Sequence, residues 1–167
     1  ILASRSRRWQ LHASRELDCL KECDHPYIVS LLYSFQTPQY LYMVQEHVPS
    51  HTMAEYLVAH DGKPVEETGV RFMVAELTLA LAHMHSKQML YRDLKPANIL
   101  FKGNVLKICD MGQSRILLGS STAVETGSNG GTLGWMSPEE LSANIAGQVS
   151  FESRLSGDIH TAGSIFF

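Results

Sequence analysis

Tyr91-Arg92-Asp93-Leu94-Lys95-Pro96-Ala97-Asn98 is the most chemically loaded stretch of this 167-residue chain. Asp110-Met111-Gly112 begins twelve residues after Asn98, and Ser137-Pro138-Glu139 lies further on. Cations, a carboxylate and an amide are crowded together, with short apolar runs on either side at Met89 to Phe101 and Val105 to Cys109. Lys102-Gly103-Asn104 reads as a tight turn between small strands, so the polar groups ride on loops held by those strands. Taken singly, Arg-Asp and Asp-x-Gly pairs are common turn chemistry; the information lies in the ordered set.

Upstream, Leu17, Leu20 and Cys23 recur at helical spacing from Ser14 to about Cys23, before the breaker His25-Pro26. Tyr27 to Phe35 and Tyr40 to His47 are rich in aromatic and β-branched residues around Thr37-Pro38, which predicts an antiparallel hairpin. A short helix is expected over Met53 to His60, closed by Asp61-Gly62. Val70, Met73, Val74, Leu77, Leu81 and Met84 form the strongest helical stripe, within Glu66 to His85. Downstream, Gly119 to Gly134 is rich in Ser, Thr, Gly and Asn and reads as a long surface loop. Ser137-Pro138-Glu139 has the form of a helix start, and a last apolar stretch begins at Ile159.

With 44% apolar and 19% charged residues the chain can bury a core, which excludes a disordered tail. Fourteen Lys+Arg against 17 Asp+Glu give a formal net charge of -3, so no global field favours nucleic acid. The short basic run Arg5, Arg7 and Arg8 reads as solvated surface. Cys19, Cys23 and Cys109 are too few and too unevenly spaced for a disulfide framework, which predicts a reducing, cytoplasmic setting. A metal site from Cys19, Cys23 and His12 or His25 is the weaker alternative to small core cysteines. No run approaches the roughly 20 apolar residues of a membrane span, and no internal repeat is found. Both ends read as cuts, because the sequence starts without Met and stops inside an apolar run.

The ordered motifs resemble the catalytic loop, the magnesium-binding Asp-Phe-Gly and the Ala-Pro-Glu of eukaryotic protein kinases. Lys95-Pro96 resembles Ser/Thr kinases rather than tyrosine kinases. Arg15 to Leu20, His25-Pro26-Tyr27-Ile28-Val29 and Leu32 to Thr37 resemble the AGC group. His25 to Val29, Ala82-His83-Met84-His85 and Leu90 to Leu100 resemble the G-protein-coupled-receptor kinases. Gly131 to Glu139 and Asp158 to Gly163 also resemble the stress-sensor kinase that carries a ribonuclease.

This resemblance implies an α+β, two-lobed kinase fold in truncated form. Residues 1–48 would be the small-lobe portion and hinge, 49–167 the large-lobe portion up to the helix of Asp158, and 110–139 the activation segment. The implied activity is ATP-dependent phosphorylation of Ser or Thr on protein substrates, with no nucleic-acid partner. Phosphoryl transfer needs hard-cation ligands, a group that orients the attacking hydroxyl, and cations facing the developing charge. Asp93 is then the expected base and Lys95 the point charge at the phosphoryl group. Asn98 and Asp110 are the expected Mg²⁺ ligands.

Glu16 is implied as partner of an ATP-positioning lysine that is not in this chain. Gln45 is implied as gatekeeper, the Glu46 carbonyl and Val48 backbone as adenine contacts, and Leu100 as the apolar floor under the base. Leu20, Leu31, Tyr91 and Met111 would stack as the spine linking the lobes. His12, Arg92 and Arg115 resemble the pocket for an activation-loop phosphate, with Ser128 and then Thr126 as acceptors. Thr132 is expected to orient Asp93 and Lys95, and Glu139 and Asp158 to serve structurally.

Tyr91 for His and Met111 for Phe keep an apolar body, His160 and Ser137 depart from the family away from the reacting atoms, and Thr52 stands where the AGC group has an acidic ribose contact. The stretch holds no glycine-rich phosphate loop, so it is expected to have little activity when expressed alone. The competing reading is a pseudokinase scaffold, against which Asp93, Lys95, Asn98 and Asp110 count.

Overall fold

The computed structural model describes every residue except 1, 4–6, 62, 64, 118–122, 125–130, 140, 143–148 and 167. Helices and strands are mixed, as the α+β expectation requires, in two groups of elements. The first holds helix α1 (Arg7–Glu22) and an antiparallel sheet of β1 (Leu2–Ala3), β2 (Leu31–Gln36) and β3 (Tyr40–Gln45), in the order β1-β3-β2. The second holds α2 (Met53–His60), α3 (Glu67–Ser86) and three antiparallel strand pairs. These are β4 (Met89–Leu90) with β7 (Arg115–Ile116), β5 (Ile99–Lys102) with β6 (Val105–Ile108), and β8 (Ala123–Val124) with β9 (Val149–Ser150). Helix α4 (Phe151–Phe166) closes it.

Local chemistry explains the elements. Thr52 caps α2 in a capping box: its side chain accepts from Glu55 N at 3.2 Å while the Glu55 carboxylate accepts from Thr52 N at 2.7 Å. Asp61 ends that helix in a left-handed conformation at φ 48. Helix α3 buries Leu77, Leu81 and Met84 from its predicted stripe, together with Ala80. These join Cys19, Leu20, Cys23, Ile28, Tyr91, Ile99, Ile108 and Met111 in one core that spans both groups. Gly103, at φ 64, makes the turn between β5 and β6.

The structure corrects four boundaries. Helix α1 starts at Arg7 rather than Ser14, because Arg7 to Ala13 contain no Pro or Gly to stop it. Strand β2 starts at Leu31 rather than Tyr27. The backbone of the preceding residues is engaged elsewhere: Val29 N donates to Ile108 O and Ile108 N to Tyr27 O, both at 2.9 Å, around a parallel bridge of Ile28 with Ile108. Strand β3 correspondingly stops at Gln45, and Glu46 N donates to Ser30 O at 2.9 Å. Helix α4 begins at Phe151, ahead of the apolar stretch at Ile159, because Glu152, Ser153, Ser156 and Asp158 hide its period. The expected loop at 119–134 is not wholly irregular: Ala123–Val124 pairs with Val149–Ser150, and Leu133–Trp135 forms a 3-10 turn. No helix among the described residues is long and apolar enough to cross a membrane.

Candidate active site

The loop at 91–98 is held from beneath by a buried carboxylate. Asp158, on α4, accepts from Tyr91 N at 3.0 Å and Arg92 N at 2.8 Å, and its Oδ2 lies 3.1 Å from His85 Nε2. A carboxylate that is 3% exposed requires such partners. Arg92 sits at φ 73, a left-handed conformation costing a non-glycine residue about 1–3 kcal/mol, which the two consecutive N–H hydrogen bonds to Asp158 hold in place. Tyr91 is fully buried, donates its hydroxyl to Cys109 O at 2.6 Å, and receives Ser114 Oγ on its own carbonyl at 3.2 Å.

With the loop fixed, Asp93, Lys95, Asn98 and Thr132 meet. Thr132 Oγ1 donates to Asp93 Oδ1 at 2.7 Å, and Lys95 Nζ donates to Asp93 Oδ2 at 2.7 Å and to Thr132 Oγ1 at 2.9 Å. Asn98 Nδ2 donates to Asp93 O at 2.9 Å and Asp93 Oδ2 at 3.2 Å. Since the Asn98 amide nitrogen is engaged, its carbonyl oxygen is the atom left to face a cation.

Strand pairing brings Asn98 next to the segment of Asp110. Asn98 immediately precedes β5 and Cys109 immediately follows β6; Ile99 pairs with Ile108, and Cys109 N donates to Asn98 O at 3.0 Å. Asp110, at φ 60, accepts from Gly112 N on Oδ1 at 3.0 Å. A Cβ on Gly112 would lie 3.0 Å from Asp110 Oδ1 and 3.9 Å from Glu16 Oε2, so both carboxylates border this turn. Burial, and then the Asp110 charge, push the Glu16 carboxyl above its ordinary range. Carboxylate and amide oxygens are the donor set of a hard cation, so the residues present fit Mg²⁺.

At the other end, Gln45 closes β3, Val48 is buried, and Leu100 is half-buried, opposite Lys107 in register and bridged to Thr52. Val48 O accepts from Ser50 N at 2.9 Å. The Thr52 hydroxyl is engaged in its capping box, donating to Glu55 Oε2 at 3.0 Å. Leu20, Tyr91 and Met111 share the core, with Leu31 packed at its edge.

Arg92 and Arg115 are both buried. Arg115 donates to Ser114 O at 2.6 Å, and its Nη2 lies 3.5 Å from His12 Nδ1 on α1. Thr126 and Ser128, like Ser120, Ser121 and Thr122, lie outside the described residues. Glu139 is exposed; bonds from its own amide and from Ser137 hold its carboxyl below the ordinary range. Burial pushes the Cys19 thiol up to about 12 and the Cys23 thiol to about 11, and Cys23 Sγ rests 3.6 Å from Met89 Sδ. Both are core residues, and no described residues form a group of three or more His, Cys, Asp or Glu able to hold a metal.

Sequence reasoning missed His85 and Lys107. His85 lies in a helix read as structural, outside its apolar stripe, and Lys107 reads as an ordinary strand lysine; neither has a local pattern that marks its distant partner.

The protein kinase domain family matches the chain over residues 1–167. Serine/threonine-protein kinase cds1 of Schizosaccharomyces pombe is 30% identical over 169 residues, covering 100% of this chain and 35% of the relative. Serine/threonine-protein kinase CBK1 of Pneumocystis carinii is 40% identical over 62% of the chain and 20% of its own length. Human 3-phosphoinositide-dependent protein kinase 1 is 32% identical over 81% of the chain and 24% of its own length. The chain thus spans about a third or less of these relatives.

Proposed function

Because the chain belongs to the protein kinase domain family, we propose that the full-length protein transfers the γ-phosphate of ATP to Ser or Thr hydroxyls of protein substrates. The observation that carries this reading is the closed set of hydrogen bonds among Asp93, Lys95, Asn98 and Thr132, beside the hairpin that leads to Asp110. Asp93 orients the substrate hydroxyl and takes its proton as the oxygen attacks the γ-phosphorus and the bond to the β,γ-bridging oxygen breaks, releasing ADP. Lys95, already within hydrogen-bond reach of Asp93, supplies positive charge at the transferring group. Thr132 keeps both side chains in one rotamer, so little reorganisation remains when substrate arrives.

Asp110 and the Asn98 carbonyl would hold Mg²⁺. When bound, that ion offsets phosphate charge. Glu46 and Val48 present backbone groups to adenine, Leu100 lies under the base, Gln45 limits the depth of the pocket, and Glu16 pairs with a lysine. Residues 1–48 act as the small-lobe part, 49–167 as the large-lobe part and 110–139 as the activation segment. His12, Arg92 and Arg115 receive a phosphate carried on Ser128 or Thr126. Three free cysteines and the use of ATP suit a cytoplasmic setting.

The test is ATP-dependent labelling of Ser/Thr peptides by the full-length protein, with and without Mg²⁺, beside nucleotide binding by Asp110→Asn. Labelling that requires Mg²⁺, and loss of metal-dependent ATP binding in the variant, are expected. Metal-independent labelling, or unchanged Mg²⁺-ATP affinity in Asp110→Asn, would contradict the assignment of the ligands.

A further inference from the structure

Lys107 is the feature that the catalytic scheme leaves unexplained. It stands in β6 between the buried residues Leu106 and Ile108, and its own side chain is only 8% exposed. An ammonium there is strongly disfavoured unless it is closely paired. Its Nζ is bonded to Glu46 Oε1 and donates to Ile28 O at 3.2 Å. Glu46 is gripped from other sides too: its carboxylate accepts from Ser30 N at 3.3 Å and from Lys102 Nζ at 3.3 Å.

The geometry points to Lys107 as a positioning residue for the nucleotide: by clamping Glu46 and Ile28, it fixes the backbone at 46–48 against the hairpin that leads to Asp110. The inference rests on the proposed ATP-dependent transfer. Glu46 and Ile28 come from the sheet side of the molecule, whereas Lys107 and Lys102 come from the β5–β6 hairpin. That hairpin is flanked by the proposed metal ligands Asn98 and Asp110. The clamp therefore spans the two ends of a bound ATP, adenine at one and phosphates at the other. Lys102 is 54% exposed and contributes less than its partner, since exposed pairs are screened. Stability alone does not call for a buried ion pair, because apolar residues of similar volume often serve the fold as well or better.

The experiment compares the full-length wild type with Lys107→Met, Lys107→Arg, Glu46→Gln and the double variant Glu46→Gln/Lys107→Met. It reads KM for ATP, kcat and Tm, with the dissociation constant of ADP measured by calorimetry alongside. Lys107→Met is expected to raise KM and the ADP constant about fivefold or more, while kcat at saturating ATP stays within about twofold. Lys107→Arg should stay near wild type. The double variant should regain much of the Tm lost by the single variants and yet keep the raised KM, and it carries the comparison if Lys107→Met does not fold. Nucleotide constants that are unchanged, or that return to wild type together with Tm, would overturn the clamp. Absence of transfer in the wild type would instead overturn the proposed activity, and ADP binding would still judge the clamp.

Discussion

Both carboxylate oxygens of Asp93 are engaged before any substrate is present, one by Thr132 and one by Lys95 and Asn98. A side chain held this way spends little on ordering when the hydroxyl arrives. Removing the Thr132 hydroxyl therefore misaligns the proposed base without touching the nucleotide site. Thr132→Val is expected to lower kcat about tenfold with KM for ATP nearly unchanged, and Thr132→Ser to restore it, as read by steady-state kinetics. The neighbouring Gly131, at φ 107, has no room for a side chain, since a Cβ would lie 2.8 Å from Arg92 O. The segment that delivers Thr132 thus runs against the backbone of the 91–98 loop.

Helix α2 shows how far local signals reach. Its capping box is encoded by Thr52 and Glu55, three positions apart at the head of the helix. Thr52→Ala should cost about 1 kcal/mol of stability, measured as a lower Tm or denaturation midpoint. The β5–β6 hairpin was legible because Gly103-Asn104 is strong turn chemistry between apolar runs. Residues 27–30 have the composition of a strand, but Tyr27 and Val29 both bond to Ile108, about eighty positions away. Composition carries no information about such a partner. Asp93, Lys95, Asn98 and Asp110 were legible as a set because their chemistry is concentrated in two short motifs, whereas Lys107 owes its interest entirely to Glu46, far off in the chain.

One core joins α1 and the loop after it to α3, β5 and β6, so the small sheet and the helical part are packed on shared residues such as Leu20, Ile28 and Met111. The contact of His12 with Arg115 adds a polar link between α1 and the segment after Gly112. If residues 110–139 act as the proposed activation segment, this link would carry a change there to the helix of Glu16. The proposed chemistry, however, stands or falls on one side chain. The most direct measurement is kcat for phosphate transfer to a Ser/Thr peptide by the full-length protein and its Asp93→Asn variant, with Mg²⁺-ATP affinity measured on both. With Asp93 as base, kcat is expected to fall about 10²–10⁴-fold with ATP affinity retained. Turnover near wild type in Asp93→Asn would contradict it.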